Sequence, residues 1–202
     1  MMKTILVTGF EPFGEDTVNP SWEAVKLLDD EFEGVRIIKK LLPVVMGKAS
    51  DMVLEVLESE RPDAVVSVGL AGGRKAVSIE RIGINCDDYR IADNGGNTPQ
   101  DQKIAADGPD GIFATIPVRK IKEALDAKGI PAEISNTAGT YLCNHVLYKT
   151  LYACRQGYPH AVSGFIHVPC TPEMAGSRPS MELSMIKDAL EEALRVIIRE
   201  SA

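Results

Sequence analysis

Paired cysteines and paired histidines are both missing from this 202-residue chain. Its four cysteines, Cys86, Cys143, Cys154 and Cys170, fall at irregular intervals with no C-x-x-C. Zinc sites therefore have no spacing to support them, and disulfides are not expected in a chain that shows no sign of export. Its three histidines, His145, His160 and His167, form no H-x-x-x-H or H-E-x-x-H pattern, so a catalytic metal is not expected. Basic charge is scarce too: 22 Lys and Arg stand against 29 Asp and Glu, a net charge of −7. Nucleic acid is not an expected partner, because phosphate binding needs a concentrated basic surface. No run approaches the roughly 20 apolar residues of a membrane span, so no membrane partner is expected. MMKTILVTGF has only a short apolar run before Gly9 and Glu11. It reads as a first strand, not a signal peptide, and sets the expectation of a cytoplasmic protein. G-x-S-x-G is absent, which leaves a serine-hydrolase elbow unsupported. GLAGGRK (69–75) matches neither G-x-G-x-x-G nor the P-loop spacing, so its glycines read as permitting a tight turn and close backbone approach.

What is present is an ordinary globular mixture, 45% apolar and 25% charged, of a length that fits one domain over residues 1–202. Strand-like and helix-like segments alternate. TILVTG (4–9), VRIIKKLLPV (35–44), DAVVSVGL (63–70), PAEISNT (131–137) and AVSGFIHV (161–168) are the β-rich runs. NPSWEAVKLLDD (19–30) opens with Asn19 as N-cap and Pro20 at the first helical position. Ser50 is expected to cap the next helix, with Val53, Val56 and Leu57 on one face. PVRKIKEALDAKG (117–129), NHVLYKTLYACRQG (144–157) and SMELSMIKDALEEALRVIIRE (180–200) complete the helices. The pattern implies an α/β sheet with helices on both faces. ADNGGNTPQDQKIAADGPDG (92–111) is the exception, too long and polar for an ordinary connection; an active-site flap and an intersubunit contact are both open for it. Open α/β sheets bind ligands beyond the carboxyl ends of their strands. GFEPFG, GLAGGRK and HVPC are expected there.

Nucleophilic catalysis by cysteine remains, and it needs a thiolate, a base and a group that orients the base. For any one cysteine a buried structural thiol is the plain alternative. Cys143 is singled out because SNTAGTYLCNHVLY (135–148) passes there from extended chain into a helix. A helix amino terminus favours a thiolate and offers N–H groups to an oxyanion. His145 is close in sequence, yet two residues along a helix diverge by about 200°. It is expected on the helix surface or half-buried. His160 follows Tyr158-Pro159 and reads as solvated. His167 ends the apolar run VSGFI at the ligand-binding edge of the sheet, as a base or as a satisfied core histidine. Glu80, inside the apolar stretch VSIERIGIN (77–85), needs a dedicated partner. Asp87 and Asp88 read as a polar turn. Arg81 is the plain partner for Glu80, although adjacent strand residues face opposite ways.

Here the residues resemble a known family. GLAGGRKAVSIERIGIN (69–85) and SNTAGTYLCNHVLY are similar to the glutamate and cysteine signatures of pyrrolidone-carboxylate peptidases (pyroglutamyl peptidase I). GFEPFG with NPS (9–21) resembles that family's amino-terminal motif, and GFIHVP (164–169) its histidine region. The resemblance implies a cytosolic cysteine peptidase, free of metal and organic cofactor, that removes amino-terminal pyroglutamate from peptides. It implies a three-layer α/β/α sandwich on a mostly parallel, twisted sheet, assembled as a homotetramer. Cys143 would be the nucleophile, His167 the base and later acid, and Glu80 the orienter of His167. Phe10 and Phe13 would sandwich the lactam ring, and Arg90 would help hold the oxyanion. Many relatives carry glutamine where Leu70 stands; a main-chain contact to the lactam survives that change. Two other classes compete: a nucleoside phosphorylase-like enzyme, whose fold the family shares, and a non-catalytic assembly protein.

Overall fold

Residues 3–200 are described by a computed structural model. In chain order the first half comprises β1 (Thr4–Phe10), α1 (Pro20–Lys26), β2 (Glu31–Phe32), β3 (Val35–Leu42), α2 (Lys48–Glu60), β4 (Ala64–Leu70), β5 (Val77–Glu80) and β6 (Ile82–Ile84). The second half comprises β7 (Gly111–Phe113), α3 (Val118–Ala127), β8 (Ala132–Ser135), α4 (Leu142–Gly157), β9 (Val162–Val168), α5 (Pro172–Ala175) and α6 (Leu183–Glu200).

Seven strands form one sheet in the order β2-β3-β1-β4-β9-β5-β8. Its inner members are apolar on both faces because both faces are covered. Ile5 and Val7 of β1 join a core with α1, α3 and α6, while Leu6 and Phe10 join a second core with α2 and α4. The stripe Ile186, Leu190, Ala193, Leu194 and Ile197 of α6 belongs to the first core. The result is the expected α/β/α sandwich with a mostly parallel sheet. Two pairings are antiparallel: β2 with β3, and β5 with β9. From β1 the chain passes to β3 on one side and then to β4 on the other, so strand order reverses at β1 and β4, where ligands settle in such sheets.

Asn19 caps α1 as expected, its side chain accepting from the Ser21 N–H. Ser50 does not cap α2: that helix starts at Lys48 after Gly47, whose φ of 76° suits glycine, and Ser50 Oγ donates back to the Gly47 carbonyl at 2.8 Å. VSIERIGIN is two strands, not one. Its polar break at Arg81 lets the chain leave the main sheet, and β6 pairs antiparallel with β7 in a separate ribbon. Residues 92–110 carry no helix or named strand. They are nevertheless tied down: Tyr89 N–H donates to Pro99 and Asp87 bridges Gln102. Among the described residues no helix is long and apolar enough to cross a membrane.

Gly9 is where β1 meets the start of α1: a Cβ there would lie 2.7 Å from Trp22 Cα and 2.8 Å from its N. Backbone cannot step aside as a side chain can. Gly9→Ala is expected to destabilise the fold by about 1–3 kcal/mol, read from denaturant unfolding; parent-like stability would show that α1 sits less tightly on β1.

Candidate active site

The carboxyl ends of β1, β4 and β9 and the start of α4 enclose a cavity of about 550 Å³. Tyr141, in extended conformation at φ −97° and ψ −167°, is the N-cap of α4, and it makes no side-chain cap hydrogen bond. The first-turn N–H groups thus have no intrahelical acceptor and point at whatever binds there. Cys143 is the second residue of that helix and lines the cavity. Fully buried Asn144 anchors the turn from behind, accepting Ile84 N–H at 2.9 Å and donating to the Ile84 and Cys86 carbonyls at 2.9 and 3.1 Å. Gly69 makes room for the thiol: a Cβ on it would lie 3.0 Å from Cys143 Sγ and 2.7 Å from the Phe165 ring. The expectation that glycines of GLAGGRK serve close approach holds at this position.

His167, near the end of β9, lines the same cavity as Cys143, and on its other side its Nδ1 lies 2.7 Å from Glu80 Oε1. The Glu80 bond places the Nδ1 proton, which leaves Nε2 toward the sulfur. Antiparallel pairing of Ser78 with His167 sets Glu80 diagonally beside the imidazole on the same face. Glu80 has no exposed surface. Burial pushes its carboxyl up, but the hydrogen bond and charge of His167, with the bond from Arg74, hold it below the usual range. For His167 burial works downward, and the charge and hydrogen bond of Cys143 and Glu80 outweigh it, raising its pKa to about 9.

Sequence reasoning left the partner of Glu80 open between Arg81 and a dedicated group. Arg81 turns away, Nε donating to Asn136 Oδ1 at 2.8 Å. Arg74, from the turn after β4, supplies the cation, with Nη1 2.7 Å from Glu80 Oε1. Its signal was visible only as a buried acid in need of positive charge.

Phe10, Phe13, Leu70, Arg90, Cys143 and His167 all line the cavity. Glu80 stands behind His167. Phe10 is not in a loop: it ends β1, is 3% exposed, and packs within the α2–α4 core while showing part of its ring to the cavity. Phe13 is half-buried with its ring 5.6 Å from that of Tyr141. Tyr141, Asp88 and Ile91 line the cavity without having been singled out from sequence.

His145 corrects its expectation. It is 5% exposed, neither on the surface nor half-buried. Its Nδ1 lies 2.7 Å from Asp87 Oδ2 and its Nε2 3.2 Å from Ser50 Oγ. Asp87, read as part of a polar turn, is 3% exposed. His145 faces α2 and residue 87, on a different side of α4 from the cavity, as helical geometry requires. His160 is exposed as expected.

Comparison with known proteins gives a consistent result. A family model described as pyroglutamyl peptidase matches residues 3–200. The pyrrolidone-carboxylate peptidase of Finegoldia magna is 47% identical over 197 residues, 96% of this chain and 92% of that one. That of Treponema denticola is 47% identical over 206 residues, 98% and 94% of the two chains. Among solved structures, pyroglutamyl peptidase I of Bacillus amyloliquefaciens superposes with a TM-score of 0.94 at 39% identity, over 98% of each chain. A mutant pyrrolidone carboxyl peptidase of Pyrococcus furiosus gives 0.93 at 43% identity, over 98% of this chain and 99% of that one.

Replacing His145 with alanine leaves buried Asp87 without its hydrogen-bond partner. The expected loss is about 1–3 kcal/mol of stability, measured by denaturant unfolding at pH 7; a variant as stable as the parent would show that this pair is not a structural tie.

Proposed function

The chain belongs to the pyroglutamyl peptidase family, and from that premise we propose that it is a cysteine peptidase removing amino-terminal pyroglutamate from peptides with a Cys143–His167–Glu80 triad. The observation that carries this reading is the cavity that Cys143 and His167 line together with two phenylalanine rings, His167 being hydrogen-bonded from behind to buried Glu80. In this reading the Cys143 thiolate attacks the pyroglutamyl carbonyl, forming the carbon–sulfur bond while charge moves to the oxygen. The first-turn N–H groups of α4, with Arg90 beside them, stabilise that oxyanion. Collapse breaks the carbon–nitrogen bond, and the leaving amine takes the proton from His167 Nε2. His167 then takes a proton from water, which attacks the thioester and releases pyroglutamate, returning sulfur to the thiolate. Glu80 holds the ring in orientation through both halves.

Pyroglutamate has no charged amine, so a pocket for it uses flat apolar walls and hydrogen bonds to the lactam. Phe10 and Phe13 supply walls at low entropic cost. Polar main chain at Leu70 is assigned to the lactam amide; groups made for that amide reject proline, which lacks the ring carbonyl. The family resemblance also supports a homotetramer in the cytoplasm, where a reactive thiol stays reduced. Light scattering should give four times the chain mass, and a monomer would refute the assembly; recovery in the cytoplasmic fraction tests the location.

A chromogenic pyroglutamyl amide is expected to be cleaved by the parent and left intact by folded Cys143→Ala. Glu80→Gln should lose less than Cys143→Ala, since orienting groups contribute less than the nucleophile. An inert parent under reducing conditions would sink the reading, and phosphate-dependent nucleoside cleavage would favour the phosphorylase alternative. For the parent, kcat/KM should fall as pH rises through about 9, where His167 loses the proton the leaving amine needs. The same raised pKa ties stability to pH: its contribution is complete below the ordinary 6.5 and is lost as pH rises through about 9.

A further inference from the structure

Glu80 Oε1 accepts from His167 Nδ1 and from Arg74 Nη1, both at 2.7 Å. The acceptor is fully buried, while the Arg74 side chain keeps 28% of its exposure. The other arm of the same guanidinium, Nη2, donates to the Thr137 carbonyl at 3.2 Å. Thr137 lies between β8 and α4, in the segment that leads to Cys143. Ser135 Oγ donates to the same carbonyl at 2.9 Å, and Gly139 N–H donates to Thr137 Oγ1 at 3.0 Å. One planar fork therefore spans the acid behind the histidine and the loop before the nucleophile, a task for which a point-charge ammonium is less suited.

We propose that Arg74 is a positioning residue for this reaction: with His167 it holds the same oxygen of buried Glu80, and so fixes Glu80 against His167. The proposal rests on the cysteine-peptidase reading above. Without Arg74, the fully buried Glu80 carboxylate would lose one of the two partners on Oε1. Among the described residues, the cationic side chains bonded to Glu80 are Arg74 and His167, the latter from β9. The Ser135 hydroxyl of β8 is committed to the Thr137 carbonyl. Arg81 is turned to Asn136. Glu133 of β8 accepts from Ser78 Oγ at 2.8 Å. His167 in turn meets Glu80, Cys143 and the Phe165 ring, centroids 4.8 Å apart.

Arg74→Gln removes the charge and Arg74→Lys keeps it. Alkylation of Cys143 as a function of pH, followed on its own tryptic peptide so that the half-exposed Cys86 is not counted, reads the ion pair without substrate. In folded Arg74→Gln the pH of half-maximal alkylation is expected to rise by about one unit, because removing the cation that holds Glu80 against His167 leaves the base less well placed to ionise the thiol. Arg74→Lys should stay within about 0.3 unit of the parent. On the pyroglutamyl amide, Arg74→Gln should lose about 10-fold or more in kcat with KM nearly unchanged. In a Glu80→Gln background the same substitution should cost no further kcat, since Arg74 acts through Glu80. A merely structural loop contact would lower melting temperature without moving the alkylation profile. An unmoved profile in folded Arg74→Gln, or full additivity with Glu80→Gln, overturns the proposal. If Arg74→Gln does not fold, Arg74→Lys decides: a profile displaced by the full unit despite the retained charge also overturns it. A parent that leaves the amide intact counts against the peptidase reading, while the alkylation profiles still decide the role of Arg74.

Discussion

A carboxylate sealed from water has to remain ionised at the centre of this molecule. Glu80 has no exposed surface, and desolvation alone would protonate it. His167 and Arg74 reverse that outcome, and each can do so only because of where the fold delivers it. β5 runs antiparallel to β9, which sets Glu80 diagonally across from His167. The turn after β4 brings Arg74 back over the same oxygen. The raised proton affinity of His167 follows from the same arrangement, since an imidazolium between a carboxylate and a thiol is held by both. Local electrostatics and sheet topology are here one constraint.

The second half of the site is a matter of approach. Cys143 opens a helix whose N-cap supplies no side-chain acceptor, so the first-turn N–H groups are available to developing negative charge. Gly69 lets that helix come within reach of β4. Asn144 and the His145–Asp87–Ser50 group hold the helix from its far sides, one to β6 and the other to α2. The two histidines of neighbouring sequence motifs thus divide their work: His167 faces the thiol, and His145 bonds the scaffold that carries it.

Much of the sheet was legible from sequence because buried strands need apolar residues on both faces, and TILVTG and DAVVSVGL are written that way. The α1 cap was legible because Asn-Pro combines an acceptor with a preset φ. VSIERIGIN misled because an apolar stretch does not show that its pairing partner changes at Arg81. Ser50 misled because Gly47 offered the chain an earlier start. At the site, helical geometry sufficed to separate Cys143 from His145, and position at a strand end pointed to His167. The ion pair of Glu80 with Arg74 and the burial of His145 were not legible, since both depend on contacts between residues far apart in sequence. Phe10 ends β1 and serves both as cavity wall and as core, a double duty that a motif alone does not display.

The curated relatives cover nearly the full length of the chain and the solved structures share its fold. The site is organised by electrostatics: the imidazole of His167 is held charged between Glu80 and Cys143. Nitrogen NMR of the histidine-labelled parent, with His167 assigned by substitution, measures this directly. The His167 ring is expected to keep its proton at neutral pH and to release it near pH 9. A ring that titrates at its ordinary 6.5 or below would contradict it.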